Sequence, residues 1–193
     1  MTEDFLLELY KRSPTIFTLK EVSLIFPQIP YQNLKSRLHY AVSVGKLQKL
    51  RKGIYAKENF EPLELANKIY TPSYISLETV LSKEGIVFQK YATISVVSYL
   101  TRHIKVGPQE IFYRKIKNEV LLNNLGIKEE SNYFVASKER AFLDAIFLYK
   151  DYHFDNLRPF DWEKVREMSR IYASKTLEKR VAEYYQIFCQ EHV

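Results

Sequence analysis

The side chains with the clearest chemical potential lie between Tyr31 and Val44. A helix over this segment, at 100° per residue, places Leu34, Leu38, Ala41 and Val42 together on one side. The other side carries amides, hydroxyls and a guanidinium but no acid: Gln32, Asn33, Ser36, Arg37, Tyr40 and Ser43, with Lys35 and His39 at the borders. In the DNA major groove, Arg matches the acceptors of guanine, and Asn and Gln match adenine. The spacing therefore predicts a helix face that reads base edges.

A short basic hairpin is predicted directly after this helix. Gly45 is placed to end the helix. Apolar residues at 47, 50, 54 and 55 then indicate two strands, joined by a turn at Arg51-Lys52-Gly53. We expect Lys49, Arg51 and Lys52 to lie near DNA phosphates, because cationic side chains on such a hairpin can follow the backbone that flanks the groove.

The excess of positive over negative charge lies entirely in the first third of the chain. The formal net charge is +6, from 29 basic and 23 acidic residues. Residues 1–57 hold ten basic and four acidic groups and so carry the whole excess. A segregated basic segment indicates a polyanionic partner, although a basic face can also serve solubility alone.

Two further helices are predicted before the polar helix. Phe5, Leu6, Leu9 and Tyr10 mark the first helix, and 16–18 is a short extended segment. Thr18 and Glu21 fit a capping box that opens the second helix. Three helices followed by a hairpin predict a winged helix-turn-helix over residues 1–60, with its third helix in the major groove. A protein-binding winged helix is the alternative, since the fold serves both purposes.

Residues 61–193 are predicted to form a mixed α+β domain, so the fold class of the chain is α+β. Strands are expected over 92–99, 101–106, 109–117 and 133–135. Ser73 is expected to cap a helix from Tyr74 to about Lys83. Further helices are expected over 63–69, after Ser137, after Asp161 and over 177–190.

No spacing typical of an active site is present. The four histidines are far apart, there is no glycine-rich phosphate loop and no GxSxG, and one cysteine cannot form an internal disulfide. Glu78 and Asp144 are interpreted as caps, surface groups or paired carboxylates. We therefore expect no catalytic residue, no metal and no cofactor, although dispersed carboxylates can converge in space.

The chain carries no sign of export or of membrane insertion. Acids precede the first apolar run, which is the reverse of a secretory signal. No apolar stretch approaches the roughly 20 residues that a membrane helix needs. We expect a cytoplasmic protein with no membrane partner.

Several stretches resemble the AbiEi family, the antitoxins of abortive-infection type IV toxin–antitoxin systems. TLKEVSLIFP and KLQKLRKGIYA are similar to its winged helix, and EPLELANKIYTPSYISLETVLSKEGIV to its linking segment. The later IFYRKIK and VASKERAFLDAIFLY follow in the family's order. The most specific pair is TPSYISLE, residues 71–78, with VASKERAFLD, residues 135–144.

The resemblance implies an autorepressor with a second role. In that family the winged helix binds double-stranded DNA at inverted repeats in its own promoter. The C-terminal domain counteracts a nucleotidyltransferase-type toxin, and this does not require a stable complex. Two alternatives are a stand-alone winged-helix regulator whose C-terminal domain senses a ligand or dimerises, and an enzyme, such as a nuclease, that carries a DNA-targeting domain.

Overall fold

The N-terminal part of the protein is a three-helix unit with a small antiparallel sheet. The computed structural model describes residues 2–190. Its first elements are α1 (Thr2–Lys11), β1 (Ile16–Thr18), α2 (Leu19–Ile25), α3 (Tyr31–Ser43), β2 (Gln48–Arg51) and β3 (Ile54–Ala56). The strand order is β1-β3-β2, so the third strand lies in the middle.

The C-terminal part is built on a mixed six-stranded sheet. Its elements are α4 (Pro62–Ile69), β4 (Ser73–Ile75), α5 (Glu78–Lys83), β5 (Thr93–Ser98), β6 (Arg102–Val106), β7 (Gln109–Lys115), α6 (Asn118–Leu121), β8 (Ile127–Glu130), β9 (Tyr133–Ala136), α7 (Lys138–Leu148), α8 (Trp162–Ser169), a 3-10 turn (Arg170–Tyr172) and α9 (Lys175–Gln190). The strand order is β6-β7-β5-β4-β9-β8. The α+β class predicted from the sequence is confirmed. Within residues 2–190 no helix is both long and apolar enough to cross a bilayer.

Local signals set the ends of the N-terminal helices as the sequence predicts. The Thr18 N–H donates to the Glu21 carboxylate at 2.7 Å and the Glu21 N–H donates to the Thr18 hydroxyl at 3.1 Å, which completes the capping box. At the end of α3, Gly45 adopts φ 69°. The Lys46 N–H then reaches the Ala41 carbonyl at 2.9 Å, the six-to-one bond of a Schellman motif.

The helix predicted from Tyr74 to about Lys83 is wrong in its first half. Residues Ser73–Ile75 form β4, an inner strand paired with β5 on one side and β9 on the other, and α5 begins only at Glu78. The apolar run after a serine suits a capped helix or a buried strand equally well. The structure adopts the strand because Tyr74 and Ile75 fill the sheet interior, where both are buried. The sequence also missed β8 and α6, which are four residues each.

The small N-terminal sheet packs on both of its faces. Phe17 and Tyr55 point toward α1, α2 and α3 and belong to the N-terminal core. Ile16, Ile54 and Ala56 point the other way and belong to the core of the C-terminal part. This is the alternation that a strand imposes on its side chains. The predicted boundary at residue 60 is therefore crossed by close packing.

A buried carboxylate on α4 fixes this packing. Glu64 is fully buried and accepts hydrogen bonds from the Thr15 N–H at 2.9 Å, the Thr15 hydroxyl at 2.6 Å and the Ile16 N–H at 3.3 Å. The Lys68 ammonium lies 3.1 Å from Glu64 and 3.0 Å from Glu21, and donates to the Ile16 carbonyl at 2.6 Å. The helix α4 thus contacts both β1 and the capping box of α2.

We predict that Glu64→Ala lowers the free energy of unfolding by about 3–5 kcal/mol, the usual cost of breaking a buried ion pair. The substitution leaves the Thr15 and Ile16 donors buried without an acceptor. Urea unfolding followed by circular dichroism measures the change. The control is Glu8→Ala, which removes a surface pair with Arg12 at 3.0 Å and is expected to cost less than about 1 kcal/mol. Equal losses in the two variants would contradict the role given to Glu64.

Candidate nucleic-acid interface

The polar helix α3 presents most of the predicted side chains to solvent, whereas Lys35 and Arg37 are half-buried. Its apolar side is fully buried at Leu34, Leu38 and Ala41. Along the opposite side the exposed residues are Gln32, Asn33, Ser36, His39, Tyr40 and Ser43. The helix begins directly after Pro30, which provides no side-chain cap, so its first-turn N–H groups are not taken up by a capping side chain. Amides and hydroxyls therefore line an open helix face.

Two of the predicted phosphate-binding residues share a cleft with a lysine of α3. Lys35 of α3 lines it together with Lys49 and Lys52 of the hairpin. The cleft has a volume of about 460 Å³ and is completed by Leu19, Tyr31, His39, Gly53 and Tyr55. None of these lining residues is acidic, so the cationic groups have no carboxylate partner within the cleft. A pocket of this composition attracts an anion.

Two tyrosines form the walls between these cations. The Lys35 ammonium lies 4.6 Å from the ring centre of Tyr31, a cation–π distance that holds the side chain against the helix. Burial raises the pKa of Tyr55 above its ordinary value, and the nearby Tyr31 raises it further. The phenol of Tyr55 therefore stays neutral at physiological pH and can donate a hydrogen bond to an oxyanion.

The two predicted arginines, Arg37 and Arg51, do not line the cleft. Arg37 is half-buried, with its guanidinium carbon 5.8 Å from the ring centre of Phe5. Arg51 pairs across the hairpin with Ile54 whereas Lys49 pairs with Tyr55, so the two cations occupy opposite faces of β2. The register of the pairing between β2 and β3 shifts between positions Lys49 and Arg51, and this shift produces the arrangement. Neither Arg37 nor Arg51 therefore joins the lysines that line the cleft.

One cation of the basic segment has a structural role. The Lys57 ammonium donates to the Arg12 carbonyl at 2.6 Å and to the Tyr10 carbonyl at 3.3 Å, at the C-terminal end of α1. A cation there satisfies carbonyls that the helix leaves unpaired. Burial lowers the pKa of Lys57, and the charge of Glu64 opposes that shift.

Sequence reasoning left Tyr31 out of the site and placed His39 only at its border. Both line the cleft with Lys35, and the three residues recur at intervals of four along the helix. That spacing puts them on one stripe of α3. It is the signal that identifies the side of the helix facing the hairpin.

Asp144, one of the two carboxylates considered as catalytic candidates, lies inside a buried hydrogen-bond network. Asp144 is fully buried and accepts hydrogen bonds from the Tyr172 hydroxyl at 2.6 Å, the Ser76 hydroxyl at 2.8 Å and the Tyr74 hydroxyl at 3.2 Å. Arg140 lies beside it, 3.6 Å from nitrogen to oxygen. Burial raises the pKa of Asp144, and the guanidinium opposes that shift. Of the three interpretations that the sequence left open, a cap, a surface group or a paired carboxylate, Asp144 is the paired carboxylate.

This buried network joins the two stretches that carry the family resemblance. Tyr74 and Ser76 belong to TPSYISLE, and Arg140 and Asp144 belong to VASKERAFLD. The residues at the centre of both stretches therefore hold β4 against α7. Within the part of the chain that the structure describes, no group of His, Cys, Asp or Glu could hold a metal ion. His192 lies outside the described residues.

Comparison with protein-family models and with curated proteins finds no match to this chain. The resemblance to AbiEi antitoxins therefore stays a hypothesis based on the quoted stretches. The geometry of the residues is an independent basis for a functional proposal.

We predict that a triple variant, Lys35→Ala with Lys49→Ala and Lys52→Ala, flattens the salt dependence of DNA binding. Each lost phosphate contact removes about 0.9 from the slope of log K against log salt, so three contacts remove about 2.7. Fluorescence anisotropy on one duplex at several salt concentrations measures the slope. Lys179→Ala, an exposed lysine near Glu183 on α9, is the matched control and is expected to leave it unchanged. An unaltered slope in the triple variant would contradict the phosphate assignment.

Proposed function

We propose that the chain is a DNA-binding antitoxin of a type IV toxin–antitoxin system that represses its own operon. In this proposal residues 1–60 form a winged helix-turn-helix that binds inverted repeats in its own promoter, in the cytoplasm. Residues 61–193 counteract a nucleotidyltransferase-type toxin. No catalytic residue, metal or cofactor takes part.

The order of the first six elements supports the winged helix. A helix, a short strand, two helices and a hairpin follow one another, and the short strand pairs with the second strand of the hairpin. The hairpin then stands beside the third helix, which is the arrangement that places the helix in the major groove and the hairpin on the backbone.

The observation that carries the proposal is the acid-free cleft between α3 and the hairpin. It connects Lys35 on the helix with Lys49 and Lys52 on the hairpin, so the phosphates of one bound DNA strand can contact both elements. Beside it, the exposed face of α3 offers Gln32, Asn33, Ser36 and Tyr40 to base edges. Phosphate contacts fix the register, and base contacts supply the specificity.

Arg37 remains a proposed base contact despite its position over Phe5. A cation–π contact is worth about 0.5–1 kcal/mol at an exposed site and about 2 kcal/mol or more where the pair is desolvated. A bidentate pair with guanine is worth about 1–3 kcal/mol of discrimination against other bases. A guanine contact of that size can replace the contact with the ring, so the guanidinium can leave Phe5 on binding.

The antitoxin role depends on the resemblance together with the network around Asp144. The two most specific stretches meet in the interior of the C-terminal part, as hydrogen-bonded neighbours. A stand-alone regulator with a ligand-sensing or dimerising C-terminal domain is the second candidate. A neighbouring gene for a nucleotidyltransferase would favour the antitoxin.

We predict that Asn33→Ala costs about 1–3 kcal/mol of discrimination at one base pair and little affinity for unrelated DNA. The amide of Asn33 is exposed on α3 and is suited to adenine. Lys52→Ala is the matched variant and is expected to weaken all sequences alike. Binding isotherms on the chain's own promoter and on a scrambled duplex distinguish the two effects. Equal weakening on both duplexes by Asn33→Ala would contradict a base-reading role.

We predict that DNA binding and toxin neutralisation are separable. A variant with Asn33, Arg37, Arg51 and Lys52 changed to Ala should fail to repress a reporter under its own promoter. It should still restore growth to cells that express the neighbouring toxin, because the C-terminal part is unchanged. The antitoxin must be supplied from a foreign promoter, so that lost repression does not alter its dose.

The wild-type chain under the same foreign promoter is the control for expression and folding. If the folded quadruple variant no longer protects cells, protection depends on the DNA-binding residues, and the stand-alone regulator becomes the better interpretation.

A further inference from the structure

The cleft between α3 and the hairpin has the size of a small-molecule site. Its volume of about 460 Å³ lies within the range of about 300–1,000 Å³ that is typical of ligand pockets. Four other cavities, with volumes from about 240 to 660 Å³, each include at least one carboxylate in their lining. The cleft beside α3 combines such a volume with an acid-free lining, so it suits a small ligand that carries several negative charges.

A backbone hydrogen bond holds the hairpin beside the helices before any ligand binds. The Leu19 N–H, at the start of α2, donates to the Gly53 carbonyl at 2.9 Å. Gly53 adopts φ 76° in the turn of the hairpin and directly follows Lys52. The backbone that carries Lys52 is therefore fixed relative to the cleft, and such preorganisation lowers the entropy cost of binding.

A buried tyrosine in the cleft has an unused hydroxyl. Tyr55 is 4% exposed, lines the cleft and pairs with Lys49 across the hairpin. Among the residues that the structure describes, none forms a hydrogen bond with its hydroxyl, although that oxygen is not sealed from solvent. Buried polar groups in folded proteins nearly always have partners, so an unused donor in a basic cleft indicates a ligand oxygen.

The cations of the cleft are unused as well. Across residues 2–190, none of Lys35, Lys49 and Lys52 forms an ion pair or a hydrogen bond. The N-terminus of α3 adjoins them, because its first residue, Tyr31, lines the cleft, and a helix N-terminus favours negative charge. A backbone phosphodiester carries a single charge, whereas a triphosphate chain carries about three to four. The triphosphate is the better match to this set of groups.

An exposed ring beside the lysines favours a nucleotide over a bare phosphate chain. Tyr31 is 51% exposed, and the Lys35 ammonium lies 4.6 Å from its ring centre. Leu19 and His39 add apolar and aromatic surface to the same lining. A phosphate chain makes no use of this surface, whereas a nucleobase stacks on aromatic side chains whatever its identity.

We propose that this cleft binds a free nucleoside triphosphate. Its phosphates pair with Lys35, Lys49 and Lys52, one of them accepts a hydrogen bond from the Tyr55 hydroxyl, and its base packs against Tyr31. The same lysines are assigned to the DNA backbone, so a bound nucleotide competes with the promoter. The nucleotide site is independent of the DNA-binding proposal, and only the competition rests on the proposed function.

Isothermal titration calorimetry of the full-length protein, in buffer without divalent metal ions, tests the site. ATP and GTP are expected to bind about tenfold or more tighter than AMP, because a monophosphate leaves cations of the cleft unpaired. Both are expected to bind at least about fivefold tighter than inorganic triphosphate, which lacks the base. No saturable binding of ATP or GTP up to about 5 mM would overturn the proposal. Equal affinities for ATP, GTP and inorganic triphosphate would overturn the nucleotide as the occupant.

Variants assign the base and the phosphates to their partners. Tyr31→Ala should lower the affinity for ATP to that for inorganic triphosphate, and Tyr55→Phe, which removes only the hydroxyl, should weaken ATP about threefold or more. Tyr99→Ala is the matched control, because Tyr99 is 41% exposed and does not line the cleft. Circular dichroism establishes that each variant is folded. Unchanged ATP affinity in folded Tyr31→Ala and Tyr55→Phe would overturn the proposal.

Competition is measured by fluorescence anisotropy of a promoter duplex at matched ionic strength. ATP is expected to release the duplex at concentrations near its own dissociation constant, and adenosine is expected to leave it bound. Asn33→Ala should bind ATP as the wild type does, because Asn33 does not line the cleft. If the duplex never binds, the proposed function fails while the calorimetric affinity for ATP stands. If the duplex binds and ATP neither binds nor releases it, the nucleotide site alone is overturned.

Discussion

The buried carboxylate of Glu64 fixes the relation between the two parts of the protein. An ionised group in the interior costs several kcal/mol unless it is fully paired, and here three N–H or O–H donors and an ammonium surround it. Those donors belong to the chain that enters β1, so α4 and the small sheet cannot shift independently. Lys68 extends the same restraint to Glu21 and to the start of α2. The position of α3 therefore depends on a helix that belongs to the other part.

Local features of the fold were predictable from the sequence, and long-range ones were not. The capping box at Thr18, the helix end at Gly45 and the two faces of α3 each depend on residues a few positions apart. The strand at Ser73 was missed because its place is set by pairing with β5 and β9, which are distant in sequence. The α+β class nevertheless emerged, because an error in one short segment leaves the other elements unchanged.

In the candidate site too, local features were predictable from the sequence and long-range features were not. The chemistry of α3 was predictable because a regular helix converts spacing directly into a face. The cleft was not, because it depends on how the hairpin turns back toward the helix and on the irregular pairing that separates Lys49 from Arg51. The interior position of Glu64 was also hidden, since a lone glutamate in an amphipathic helix is indistinguishable from an exposed one. The network around Asp144 shows that two stretches far apart in sequence are the two sides of a single packed junction.

The double-sided packing of the small sheet bears on how this architecture could be recombined. A graft that transfers residues 1–60 to another protein would carry Ile16, Ile54 and Ala56 without the surface that covers them. It would also separate Thr15 from the glutamate that accepts its hydrogen bonds. The transferable unit is therefore longer than the segment proposed to bind DNA and must include α4, together with a recipient surface shaped to receive that helix. Exchange of binding specificity between such proteins is easier by substitution along α3 than by exchange of whole modules.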